Sequence, residues 1–280
     1  LPLGFALMSI LSVRNLSKTY RTGRRQGVLA LDRCSLEIPK NQFCVIVGPS
    51  GCGKTTLLNI VAGFDELSEG KILLKGELLA APGRPISPGP DRMVVFQHGG
   101  LFPWMRALEN VCFGPIARRQ MTHAEAREKA LGLMSKVDLR GIEELFPEDM
   151  SSGMRRRLEI VRAIIGQPEI LLMDEPFRAL DAMTKAVVQE FLLKIYDATP
   201  HTILFITHDL IEAIFLGDKV CAMTSRPGRV KKTMAIDLPR PRTPDLVDAP
   251  EFLRLKEELT ETVHDEAQKA FELGEREAAR

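Results

Sequence analysis

Cysteine is scarce in this chain. Of 280 residues only Cys34, Cys44, Cys52, Cys112 and Cys221 are cysteines, and no two form a C-x-x-C pair. The odd count and the wide spacing argue against a disulfide framework or a structural zinc site and fit a reducing compartment. Net charge is scarce as well. Against 37 acidic residues stand 38 basic ones, so the chain lacks the basic field of a nucleic-acid binder, and no nucleic-acid partner is expected. The triplet Arg155-Arg156-Arg157 reads as a solvated face. No run reaches the ~18–20 apolar residues that span a bilayer. The apolar stretch Leu1 to Val13 is broken by Pro2, Gly4 and Ser9 and has no basic start or small-residue cleavage site, so it makes a poor signal peptide. Residues 1–7 are expected to be an upstream extension or a vector remnant, with a strand opening at Met8. There is no internal repeat. What remains is 45% hydrophobic and 27% charged, which suits one or two ordinary globular cores.

Short β-rich runs alternate with helical stretches, so the expected class is α/β. Phe43-Cys44-Val45-Ile46-Val47 is a continuous apolar run ending at glycine and reads as a buried strand, followed by a helix from Thr56 to Ala62. Ile170–Met173 and Ile203–Ile206 read as two more buried parallel strands, and Lys219–Met223 as another. Thr122-x-x-Glu125 is a capping box, and Ala126, Ala130, Leu133, Met134 and Val137 follow at helical spacing. A second helix is expected from Met154 to Ile165. Residues of about 98–165 therefore read as a helical subdomain inserted in the α/β core. Residues 80–90, rich in proline and glycine, read as a surface loop. Beyond Pro239-Arg240-Pro241-Arg242 the chain becomes a charged tail, 241–280, helical from about Pro250.

Gly48-Pro49-Ser50-Gly51-Cys52-Gly53-Lys54-Thr55 satisfies G-x-x-x-x-G-K-[ST] between a strand and a helix. Glycines let such a loop wrap phosphates with backbone N–H groups, and the helix N-terminus adds positive potential. Lys54 can reach the β- and γ-phosphates, and Thr55 can ligate Mg²⁺. Asp174-Glu175 closes a buried strand, where carboxylates lie at the nucleotide crevice of a parallel sheet. Asp174 can hold Mg²⁺ through water, and Glu175 can polarise an attacking water. Cys52 lies beside Lys54 and the helix N-terminus, which predicts a thiol biased toward thiolate.

Five further segments fall in one fixed order along the chain, and with the phosphate loop they resemble the ABC ATPase family. Gln97, after Met93-Val94-Val95-Phe96, resembles the Q-loop glutamine, which in the family touches Mg²⁺ and senses the transmembrane partner. Met150-Ser151-Ser152-Gly153-Met154-Arg155 resembles the LSGGQ-type signature, Arg178-Ala179-Leu180-Asp181 the D-loop, and Thr207-His208-Asp209 the H-loop. Tyr20 stands where the family stacks an aromatic on adenine. The resemblance covers residues 9 to 240. It implies a P-loop NTPase cassette, residues 8–240, with an inserted α-helical subdomain and an antiparallel β subdomain. The ATP site would comprise Tyr20, Gly48 to Thr56 and Gln97, with Mg²⁺ held by Thr55, Gln97 and Asp174. Catalysis would fall to Glu175, His208 and Lys54. In the family two protomers stack head to tail with ATP, so Ser151, Ser152, Gly153 and Met154 would act on the opposing protomer's nucleotide, with Asp181 at the seam.

Leu101-Phe102-Pro103-Trp104 and Thr224-Ser225-Arg226-Pro227-Gly228-Arg229 resemble the ATPase subunits of nitrate/sulfonate/taurine-type bacterial importers. That resemblance implies integral-membrane permease partners, an indirect link to an extracytoplasmic solute-binding protein, and a peripheral place on the cytoplasmic face of the inner membrane. The solute would be a small anion. Trp104 would dock a membrane-subunit helix, although it also reads as an ordinary packing residue. Three positions depart from the family pattern: Ser152 replaces glycine, Arg178 replaces serine and Met154 replaces glutamine. If Ser152 occupies left-handed backbone it is strained, which predicts that Ser152→Gly accelerates turnover. These departures keep open the reading of a nucleotide-binding regulatory subunit with weak hydrolysis. A non-transport ABC-type ATPase is the other alternative, against which stand the single cassette and the lack of a long coiled-coil insertion.

Overall fold

The computed structural model describes residues 9–21 and 27–278. The segment 1–7 and the expected strand start at Met8 lie outside the described residues. The chain divides into two compact units, residues up to Gly89 together with those from Pro200 onward, and Pro90–Thr199.

The first unit carries β1 (Ser9–Tyr20), β2 (Val28–Pro39), β3 (Phe43–Val47), α1 (Lys54–Ala62), β4 (Glu69–Leu74) and β5 (Glu77–Ala80). After residue 200 it adds β8 (Ile203–Ile206), α6 (Leu210–Leu216), β9 (Lys219–Met223), β10 (Val230–Ala235) and α7 (Pro250–Ala278). β2, β1, β4 and β5 pair in that order as an antiparallel sheet. β3 lies between β8 and β9, parallel to both, with Cys44 opposite Leu204 and Ile46 opposite Cys221. Every residue of β3 and β8 is buried. A strand covered on both faces has no polar side to present, which is why its sequence is an unbroken apolar run rather than an alternation. The strand-to-helix turn after β3 carries the phosphate loop. α1 begins at Lys54, two residues before the expected start, because Gly53 caps it with φ +102. A Cβ at Gly53 would lie 2.7 Å from Leu31 Cδ2, so that position is closed to any side chain.

The second unit carries β6 (Arg92–Val95), α2 (Ala107–Ala117), α3 (His123–Ser135), α4 (Ser152–Ile164), β7 (Ile170–Asp174) and α5 (Ala182–Ala198). β6 and β7 are parallel. The Thr122 capping box forms as read, with Thr122 Oγ1 accepting from the Glu125 N–H and Glu125 accepting from the Thr122 N–H. α2 was not read from sequence because Gly114 and Pro115 lie inside it. Its anchor is Asn110, fully buried, whose side chain accepts from the Phe102 N–H at 2.7 Å and donates to the carbonyls of Phe102, Met105 and Arg106. This closes the turn that presents Trp104.

Candidate functional site

In the first unit the phosphate loop folds around its own lysine. Lys54 is only 6% exposed, and its Nζ donates to the Gly48 carbonyl at 2.7 Å and the Pro49 carbonyl at 2.9 Å. A buried ammonium must be paired, and here the loop carbonyls pair it. Cys52 overturns its expectation. It is 1% exposed, and burial pushes its thiol up, outweighing the opposing pull of Lys54. Lys54 does pull the thiol toward thiolate, but the depth of the residue, which decides the sign, is not visible in sequence.

Gly228 supports this loop from the far end of the chain. Its N–H donates to the Ala30 carbonyl at 2.9 Å, and its carbonyl accepts from the Asp32 N–H at 3.1 Å. A Cβ there would lie 2.0 Å from the Cys52 carbonyl oxygen. In sequence the segment around Gly228 resembles the importer branch, and only the fold shows it backing the phosphate loop.

Tyr20 ends β1 with its ring half-exposed. Its hydroxyl donates to Asp65 Oδ2 at 2.6 Å and lies 3.5 Å from Thr56 Oγ1 on α1, so ring and phosphate helix share one neighbourhood. Lys18 Nζ reaches Asp65 at 2.5 Å and sits 4.8 Å from the centre of the Tyr20 ring. Burial alone raises the Tyr20 hydroxyl's pKa, and the bond to Asp65 raises it further. For Asp65 burial opposes the charge, but the bonds from Lys18 and Tyr20 outweigh it and hold the carboxyl below its usual range. Asp65 was missed in the sequence because its partners lie more than 40 positions away. Its only signal is an acidic residue just past the glycine that ends α1.

His208 follows β8 and is exposed. Thr207, buried beside it, donates its N–H to the Ile46 carbonyl at 3.1 Å and accepts from the Asp209 N–H at 3.0 Å. Asp209 then caps α6. His208 thus lies just past the carboxyl end of β8, and the parallel neighbour β3 runs at its own carboxyl end into the phosphate loop.

In the second unit Asp174 is the last, buried residue of β7. Glu175 follows with φ +42. Arg178 Nη1 lies 3.3 Å from Glu175 Oε2. Asp181 caps α5, accepting from the Thr184 N–H at 3.0 Å. The signature segment opens α4. Ser151 is its N-cap, accepting from the Met154 N–H at 3.2 Å, and Ser152 is the first helical residue. Ser152 is therefore not in left-handed backbone, and the strain expected there is absent. The close approach falls instead on Gly153, where a Cβ would lie 2.7 Å from Thr184 Cγ2.

Gln97 is half-buried, and its loop is tied to α4. Arg156 donates to the carbonyls of Phe96 at 2.8 Å and Gln97 at 2.9 Å and pairs with Glu159 at 2.6 Å. Glu159 accepts from the Gly100 N–H at 2.9 Å, and the Arg162 guanidinium lies 4.2 Å from the centre of the Phe102 ring. Phe102 stacks on Trp104 at 5.5 Å and meets Phe113 edge-on at 4.9 Å. Trp104 is 70% exposed, which removes the core-packing reading. It borders a cavity of about 740 Å³ lined by Leu108, Cys112, Phe113, His123 and Arg127 among others.

A strand-loop-helix phosphate cradle, a lysine folded into it, and a separate helix opened by a serine-capped signature define a P-loop nucleotide-binding cassette. Residues 31–178, more than half of the chain, match the family described as ABC transporter. The chain is 43% identical over 262 residues to an uncharacterised ABC transporter ATP-binding protein of Methanocaldococcus jannaschii, covering 93% of this chain and 94% of that one. It is 41% identical to the taurine import ATP-binding protein of Rhizobium johnstonii, covering 91% and 97%. It is 42% identical to the bicarbonate transport ATP-binding protein of Synechococcus elongatus, covering 88% and 87%. Among solved structures, the dimeric form of a bacterial ABC transporter cassette superposes with a TM-score of 0.68 at 29% identity, covering 81% and 99%. A post-hydrolysis state of that cassette with ADP and Pi gives the same values. The chain belongs to the ABC transporter family: it is an ATP-binding subunit whose hydrolysis of ATP drives transport.

Proposed function

We propose that this subunit powers import of a small anion, working as a head-to-tail dimer on the cytoplasmic face of the inner membrane beneath two permease subunits. A solute-binding protein outside would deliver the solute to the permease. The observation that carries the motor reading is the Lys54 Nζ held by the Gly48 and Pro49 carbonyls, a donor that the β- and γ-phosphates can take over. The anion reading is supported by relatives named for taurine import and bicarbonate transport. No helix among the described residues is long and apolar enough to cross a membrane, in keeping with a peripheral subunit. The Trp104 face and its cavity are the proposed seat of a permease helix.

In this reading the phosphate-loop N–H groups and Lys54 bind the phosphates and Tyr20 packs on adenine. The hydroxyl of Thr55, the Asp174 carboxylate and the Gln97 amide are hard oxygen donors, the set that suits Mg²⁺ beside phosphates. Bound there, Mg²⁺ would offset charge on the β- and γ-phosphate oxygens. Glu175 orients a water and takes its proton as the water oxygen bonds to the γ-phosphorus. The bond from that phosphorus to the bridging oxygen breaks, and ADP and phosphate leave. His208 donates to the γ-phosphate. Ser151, Ser152, Gly153 and Met154 of the opposing protomer, at the positive end of α4, close the site, with Asp181 at the seam. Catalysis is then positioning and charge stabilisation, as in phosphoryl transfer generally.

Glu175→Gln tests the assignment. It is expected to keep ATP binding, lose most hydrolysis and accumulate an ATP-dependent dimer on size-exclusion chromatography, because the amide is nearly isosteric but a poor base. Unchanged turnover would reject the role. Co-purification of the tagged subunit with a polytopic membrane protein is the result expected of a transport ATPase and not of a non-transport one.

A further inference from the structure

Arg178 is the departure from the family pattern that the nucleotide site does not absorb. It closes a four-residue turn, Glu175-Pro176-Phe177-Arg178, directly after β7. The Arg178 N–H donates to the Glu175 carbonyl at 3.2 Å, and its guanidinium Nη1 lies 3.3 Å from Glu175 Oε2. Phe177, 1% exposed, fixes the turn from below. Glu175 itself sits at φ +42, a region strained for a non-glycine residue, so the backbone aims its carboxylate. The Glu175 side chain is 14% exposed against 58% for Arg178, so the cation closes over the carboxylate from the solvent side. Both partners lie on one turn, and the pairing needs neither nucleotide nor a second subunit.

We propose that Arg178 is a positioning residue that holds the Glu175 carboxylate in the resting subunit and must release it before Glu175 takes a proton from the attacking water. The proposal rests on the reading of Glu175 as the base. Arg178 Nη1 lies against Oε2, one of the two oxygens that could accept the proton, and its charge opposes protonation of the carboxylate, so the pair must loosen in each turnover. An ion pair exposed on one side is worth at most about a fivefold change in rate, about 1 kcal/mol. Arg178 therefore acts as a brake rather than a lock.

The test uses the full chain and its Arg178→Ser, Arg178→Lys and Glu175→Gln variants. ATP turnover is measured at protein concentrations where the rate per subunit has reached its plateau, so that dimer formation is not limiting. Arg178→Ser is expected to raise kcat by about two- to fivefold with KM for ATP unchanged. Arg178→Lys keeps the charge and is expected to stay near wild type. The advantage of the serine variant should shrink toward none at about 1 M salt, where the screening length is about 3 Å. A serine variant no faster than wild type overturns the proposal. So does an advantage insensitive to salt, or a lysine variant as fast as serine, which would assign the effect to packing of the turn. Glu175→Gln separates the two readings. If it hydrolyses ATP normally, the base assignment fails whatever Arg178 does. If it is inert while Arg178→Ser is not accelerated, only the brake fails.

Discussion

Single residues decide where the family pattern can be relaxed in this chain. Ser152 stands in a glycine position, yet it is an exposed first residue of α4 with ordinary helical backbone. Glycine is a poorer helix residue than serine by about half a kcal/mol. Ser152→Gly is therefore expected to leave ATP turnover unchanged or to lower it by up to about twofold, the rate equivalent of that energy. A steady-state ATPase assay that found it several-fold faster would restore the strain argument. Gly153 has no such latitude, because Thr184 on α5 fills the space a side chain would need. The two positions look interchangeable in sequence and differ only in which face of the helix they occupy.

At the scale of elements, α4 and the loop after β6 are bolted together by charge. Arg156 and Glu159 are 6% and 8% exposed and bond to the backbone of Phe96, Gln97 and Gly100 as well as to each other. Burial pushes the Glu159 carboxyl up, with Arg156 opposing. Removing one partner leaves the other charge buried alone, a cost of about 3–5 kcal/mol, whereas replacing both with apolar residues of similar volume is often near neutral. Arg156→Met is therefore expected to lower the urea midpoint strongly, and adding Glu159→Met to recover much of it. The recovered double variant should still turn over ATP more slowly than wild type, because the Gln97 carbonyl has lost its donor, while ATP affinity holds. A double variant as unstable as the single one, or one with full kcat, would refute this. None of the network was legible in the sequence, where Arg155-Arg156-Arg157 reads as a solvated face. Only one of the three points inward to Gln97, and helix phase alone does not say which.

Across the whole molecule, the parts legible in sequence were those whose chemistry is contiguous. The phosphate loop, the strand-ending Asp174-Glu175 and the buried strands β3, β7 and β8 each declare themselves within a few residues. Asp65, Gly228 and the burial of Cys52 depend on contacts between distant segments, and α2 was masked by a proline it tolerates. The tail is a further case. Sequence gives α7 as a charged helix, but not that Glu266 is 3% exposed and ties it down, accepting from the Ser225 N–H at 2.9 Å and from Lys231 and Lys269. Burial opposes the Glu266 charge, but these donors outweigh it and bring the pKa to about 2. A carboxyl lowered on folding stabilises the fold fully above its unfolded value near 4.5 and loses that contribution as pH falls toward about 2. Wild type and Glu266→Gln should therefore differ in urea midpoint at pH 7, with the gap narrowing below about 4.5 and closing only as pH falls through about 2, where the wild-type carboxyl takes up its proton. A gap that stayed constant with pH would mean that Glu266 acts through packing alone.

Gly228 changes how loss of function at a distance should be interpreted. It lies 176 positions after Cys52 and outside the phosphate-loop motif, so sequence alone would not choose it as part of a nucleotide site. Yet any side chain there must displace the backbone of the phosphate loop itself. In a survey of inactive variants, substitutions at 228 would be indistinguishable from lesions in the loop, with weakened ATP binding and an otherwise folded subunit. Nucleotide affinity in this protein is thus a property shared by two stretches of chain, and a map of its active site drawn by mutation would include a residue that acts by leaving room for the loop's backbone.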